Sequence, residues 1–187
     1  VNHSGGTVTG SAPGDGVQFT GTAAILGAVV GDNYGTVRDT TVERQPEYSR
    51  VTPSSLTVGG AVGRNNAGGV EEGIIKVKVK ADFTGFTKYR CLGGVVGENC
   101  EDAQVESSSY TGAITEGRSA AGNCYGGVAG LNEGVLDGCT VSQLTITATG
   151  TYTATATSTA AQKEARSSHI GGIAGKNETT GEIVGCT

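Results

Sequence analysis

A seven-residue phrase recurs five times along this chain, and no other feature restricts its fold as much. It reads GAVVGDN ending at Asn33, GGAVGRN at Asn65, GGVVGEN at Asn99, GGVAGLN at Asn132 and GGIAGKN at Asn177. A single glycine-rich loop beside small apolar residues would suit a phosphate cradle, whereas five copies describe a repeat architecture. The asparagines are 32, 34, 33 and 45 residues apart, which predicts stacked units of about 33 residues with one unit longer by about 12.

Composition supports strands and turns. The chain holds 33 glycines in 187 residues, only three prolines and no methionine, and Thr, Val, Ala and Ser supply most of the rest. A net charge of −5 with 5% aromatic residues argues against a broad basic surface for nucleic acid. No apolar run approaches the ~20 residues of a membrane-spanning helix.

Aligning the copies on their last glycine produces columns. Leu26, Val58, Leu92, Tyr125 and Ile170 precede the glycine pair, and Val29, Ala61, Val95, Val128 and Ile173 lie inside the phrase. Both columns are apolar, so both are expected in a core. They are three residues apart, while a straight strand has a period of two, so the intervening glycines should bend it. After each asparagine a turn leads to an aliphatic column at Val37, Val70, Val105, Leu136 and Ile183, followed by small residues at Thr40, Gly73, Ser108, Cys139 and Cys186. Alternation continues in IKVKVKADF from Ile75 and QLTITATG from Gln143, which reads as half-buried strand with Lys76, Lys78 and Lys80 on a solvated face.

One unit has too little apolar surface to fold alone, so neighbours must stack. The expected fold is all-β: a parallel β-helix-like solenoid of five units, roughly 20 to 25 Å long. A β-sandwich or a set of meander sheets is the alternative. Residues 1–24 are expected to be a partial preceding repeat or cap, residues 25–187 the five units, and 145–166 an insertion projecting as a hairpin or loop. Thr149, Thr151, Tyr152 and Thr153 at its tip are the candidate binding residues, because insertions in repeat arrays commonly carry recognition. Neither end carries an obvious cap or a signal peptide, as expected of a piece of a longer protein.

The asparagine column, Asn33, Asn65, Asn99, Asn132 and Asn177, is expected to serve structure. Asparagine tolerates a left-handed turn, and stacked amides can form a ladder. Asn2 and Asn177 also match the glycosylation sequon, with neither expected to be used. Five cysteines without a CxxC pair do not form a zinc framework. Cys91 and Cys124 share a column at a separation a disulfide permits, Cys139 and Cys186 read as small core residues, and Cys100 could pair with Cys91 or Cys124. Asp15, Glu98, Glu101 and Asp102 could offer oxygens to calcium but read better as solvated turn carboxylates. His169 is placed in the apolar column with Leu92 and Tyr125, as a packed residue rather than a base. No nucleophile, base and orienting group come together, so no enzyme, metal or cofactor is expected.

At GGVAGLNEGVLDGCTV and GGIAGKNETTGEIVGCT the chain resembles the GLUG repeat family of bacterial surface adhesins, haemagglutinin-like proteins and the non-catalytic parts of immunoglobulin A peptidases. The resemblance covers most of residues 25–187, with Ala28 in place of the second glycine of the first copy. It implies an extracellular bacterial β-repeat that is structural or adhesive. The implied partners are a host glycoprotein, an immunoglobulin, or neighbouring repeats of the same chain. An accessory substrate-binding domain of a surface peptidase is the alternative.

Overall fold

The computed structural model describes residues 1–10, 18–21, 24–44, 47–51, 56–66, 68–69, 71–86, 89–116, 123–148 and 168–187. Its strands pair in parallel with their equivalents one repeat away, and the chain is a β-solenoid. The first face stacks Ile25–Gly27, Leu56–Gly59, Tyr89–Gly93, Cys124–Gly126 and His169–Gly171. On the second lie Val30–Asn33, Val62–Asn65, Val96–Asn99, Ala129–Asn132 and Ala174–Asn177. The third begins with Thr7–Thr9 and continues through Thr36–Arg38, Gly73–Ile75, Gln104–Glu106, Val135–Asp137 and Glu182–Val184. On the fourth are Thr41–Val42, Lys78–Lys80, Ser109–Glu116 and Thr140–Ala148, with Phe83–Phe86 beside the second half of Ser109–Glu116.

The phrase count overstates the number of full turns. About three turns are stacked with neighbours on both sides. Before the first copy residues 1–10 and the strand Gln18–Gly21, which pairs with Glu47–Val51, supply a partial rung, and the fifth copy has strands on three faces among the described residues. End rungs lose burial for this reason. Ile170 is 52% and Ile183 41% exposed, while Tyr125 and Leu136, directly opposite them one turn earlier, are 1% and 0% exposed.

The core is a set of columns running along the axis. Leu26, Val58, Leu92, Tyr125 and Ile170 are in register on the first face. On the third, the column is Val8, Val37, Ile74, Val105, Leu136 and Ile183. Ile74 therefore replaces the expected Val70, and Val77 replaces Gly73 in the small column. The turn after Asn65 is longer than its counterparts, which displaced the sequence alignment by four residues; Val70 itself lies outside the described residues. Lys76 sits at a corner rather than in a strand, so the predicted strand from Ile75 is two short strands on different faces. Val77 and Val79 are buried and Lys78 and Lys80 exposed beyond it, in the alternation of a half-buried strand.

Glycine sets how closely the faces approach. A Cβ on Gly97 would stand 2.8 Å from Thr57 Cγ2 on the first face, and one on Gly94 would enter the Tyr110 ring at 2.2 Å. Tyr110 fills the wide part of its turn, 6.0 Å from Phe83 between ring centroids, and its hydroxyl donates to the Ala81 carbonyl at 3.0 Å. The phrase is thus a corner, with its glycines placed where another backbone or ring occupies the space of a side chain.

Candidate functional site

The asparagines line up along the axis as one hydrogen-bonded file. Each Nδ2 donates to the Oδ1 of the next: Asn33 to Asn65 at 2.8 Å, Asn65 to Asn99 at 3.0 Å, Asn99 to Asn132 at 2.9 Å and Asn132 to Asn177 at 2.7 Å. The amides also donate to local carbonyls, as Asn33 does to Gly35 at 2.9 Å and Asn132 to Gly134 at 3.0 Å. Four of the five are completely buried, where an unpaired amide would be costly. None has a positive φ, so the expected left-handed turn is not their role. They end extended strands.

Asn2 is a sixth member, donating to Asn33 Oδ1 at 2.8 Å. The sequence predicts residues 1–24 to be a partial preceding repeat or cap, but without the glycine phrase it assigns them no member of the asparagine column. The signal was nonetheless present: Gly6-Thr7-Val8 after Asn2 repeats Gly35-Thr36-Val37 after Asn33. The sequon asparagine Asn2 is therefore buried in the ladder.

The left-handed positions form a separate column, one residue after each third-face strand. Gly10, Asp39, Lys76, Ser107, Gly138 and Gly185 have φ of 61°, 49°, 53°, 48°, 59° and 59°. The small column follows it. Thr40 Oγ1 and Ser108 Oγ each donate to the carbonyl two residues back at 2.9 Å, and Cys139 Sγ does so at 3.5 Å.

The most irregular part of the fourth face is an open cleft of about 420 Å³. Strand pairing is interrupted between Thr111 and Ala113, where Gly112 has φ 150° and Gln143 φ 54°. Glu43, Arg44, Lys80, Asp82, Thr111 and Gln143 line it. Asp82 Oδ1 accepts from the Ala113 amide at 2.7 Å, so this carboxylate holds the bulge open. Thr111 and Ser142 hydroxyls meet at 2.7 Å beside it. Carboxylates, cations, a hydroxyl and an amide together line the cleft. The predicted tip residues Thr149, Thr151, Tyr152 and Thr153 lie outside the described residues. Residues 145–148 of the expected insertion belong to the strand Thr140–Ala148, which also carries Gln143.

A second polar group lies on the outside of the second face. Arg64 Nε donates to Glu98 Oε2 at 3.1 Å, and Asn66 Nδ2 to Asp32 Oδ1 at 2.7 Å. Burial alone would lower the Arg64 pKa, but the charge and hydrogen bond of Glu98 outweigh it and hold the guanidinium above its usual value. Glu98 is 7% exposed and paired, so it is not the solvated turn carboxylate expected from sequence. Glu101 and Asp102 are exposed, and Asp15 lies outside the described residues. One oxygen each of Glu98 and Glu133 and the Cys100 sulfur lie within 4.8 Å of one another, with Arg64 as countercharge to Glu98. Burial first, then Glu98, pushes the Cys100 thiol up to about 11.

All five cysteines are thiols. Cys91 and Cys124 are directly opposite in neighbouring turns and pack with Leu131. Cys100 Sγ lies 3.4 Å from Asn66 Oδ1 on the second face. His169 is opposite Cys124, one place away from the Leu92 and Tyr125 column assigned to it, and is half-buried. Among the described residues no helix is long and apolar enough to cross a membrane.

Comparison with known proteins returns no match among family models, curated proteins or solved structures.

Proposed function

We propose that this chain is a non-catalytic structural and adhesive repeat module of a bacterial cell-surface or secreted protein. The observation that carries the reading is the asparagine file. Five side-chain hydrogen bonds in series join every rung from Asn2 to Asn177, parallel to the sheets. Such an axis resists bending and shear between turns, which is what a stalk or a rigid binding surface requires. The resemblance of the glycine and asparagine phrase to GLUG repeats supports the cell-surface setting. The fourth-face cleft is the contact surface in this reading, with hydroxyl-rich host glycoprotein as its ligand.

The test is binding of the 187-residue chain to immobilised mucin and immunoglobulin A, alongside a Lys80→Ala, Gln143→Ala double variant. The variant is expected to bind at least tenfold more weakly with an unchanged far-ultraviolet spectrum. Equal binding by both proteins would move the contact surface off the cleft, and no binding by the native chain would leave only the spacer role.

A further inference from the structure

We propose that Cys139 and Cys186 are the two ends of a reversible cross-link that fastens the turn of the fifth phrase to that of the fourth. The inference stands apart from the adhesive reading. Both residues occupy the small corner column, two places after the paired residues Asp137 and Val184, so they are stacked neighbours along the axis. The contact is direct: the Cys139 amide donates to Cys186 Sγ at 3.3 Å. Ladder neighbours of this kind have the Cα separation that a disulfide accepts. As donors the thiols reach main-chain carbonyls at the long distance of 3.5 Å, Cys139 to Val105 and Asp137 and Cys186 to Leu136. Forming the bond therefore gives up little.

Exposure fixes the order of events. Cys139 is fully buried, and burial pushes its thiol up to about 12, while Cys186 in the 187-residue chain is half-buried. With glutathione disulfide as oxidant, the Cys186 thiolate attacks one sulfur and expels one glutathione thiolate, leaving a mixed disulfide on Cys186. Cys139 then loses its proton to water, and its thiolate attacks Cys186 Sγ and expels the second glutathione thiolate. Two protein thiols and one glutathione disulfide become one protein disulfide and two glutathione molecules. Cys91 and Cys124 have the same stacking but are 1% and 5% exposed, so neither offers an entry point.

The experiment equilibrates the whole chain with a glutathione and glutathione disulfide buffer, blocks remaining thiols with an alkylating agent, and maps tryptic peptides without reduction. A Cys139 to Cys186 bond joins peptide 119–163 to peptide 177–187, whereas Cys91 to Cys124 would join 91–118 to 119–163. The first link is expected, retained in Cys124→Ser, and accompanied by a rise in Tm of roughly 5 °C that dithiothreitol reverses. Cys139→Ser should stop at a glutathione adduct on 177–187. The column already holds Ser108, so serine is accommodated there. Five alkylated thiols after equilibration, or only the 91–118 link, would overturn the proposal. So would a glutathione adduct on Cys139 in Cys186→Ser at the rate seen for Cys186 in Cys139→Ser, because entry would then not be set by exposure.

Discussion

Asn99 illustrates how one residue type serves every turn. It accepts from Asn65 and donates to Asn132 and to the Ala103 carbonyl, all within the interior. Asn99→Ala strands a buried donor below and a buried acceptor above, and should lower stability by about 3 kcal/mol in denaturant titration. Asn177→Ala, at the exposed end of the file, should lose under about 1 kcal/mol; equal losses at the two sites would contradict a load shared through buried neighbours. Lys76 is the opposite case. Its φ of 53° occupies a column in which three of six positions are glycine, so Lys76→Gly should raise stability by up to about 1 kcal/mol. Cys139 carries a pH signature. Its thiol, raised from 9.0 to about 12 by burial, keeps its proton in the folded chain where the unfolded chain has lost it. That contribution is complete below pH 9.0 and is lost as pH climbs toward about 12. Burial raises the Tyr110 hydroxyl in the same direction. In reductant, Tm should hold steady to about pH 8 and then fall, and fall less steeply in Cys139→Ser.

At the scale of the element, each short strand is defined less by its own residues than by the corner after it. The glycine pair ends the first-face strand, and the closing glycine lets the second-face strand lie against the first. Gly94→Ala should unfold the middle of the array or cost several kcal/mol, about the upper range for overpacking, because its methyl meets the Tyr110 ring and the Gly127 carbonyl. Gly172 holds the same place on the end rung with nothing within 4 Å. Gly172→Ala should change the denaturation midpoint very little, and a comparable loss there would show that the glycines serve backbone conformation rather than close approach. The phrase was readable in the sequence because every turn repeats the same steric demand. The asparagine's conformation was not, since an extended residue and a left-handed turn residue look alike in a string of letters.

Across the described residues, each strand pairs with its equivalent in the turn above or below, so stability is distributed along the axis. Amide exchange should be slowest around Tyr89–Gly93, Val96–Asn99 and Ala129–Asn132 and faster at Thr7–Thr9 and His169–Gly171. Uniform protection along the array would mean that the turns unfold as one block. The same gradient explains why Ile170 and Ile183 are exposed although they occupy core columns. It also limits how far repeat counting carries: five phrases yield about three turns with neighbours on both sides.

By itself the sequence pointed to an all-β repeat solenoid, to most of its axial columns and to the alignment of the asparagines, because a repeated steric and hydrogen-bonding requirement leaves a repeated letter. Only the tertiary structure decided what depends on turn length and on partners from different turns. The turn after Asn65 displaced the expected Val70 to Ile74, and Glu98 met Arg64 one rung away. The fourth-face cleft belongs with these. It arises where bulges at Gly112 and Gln143 coincide, and coincidence across turns leaves no mark on any single stretch of chain.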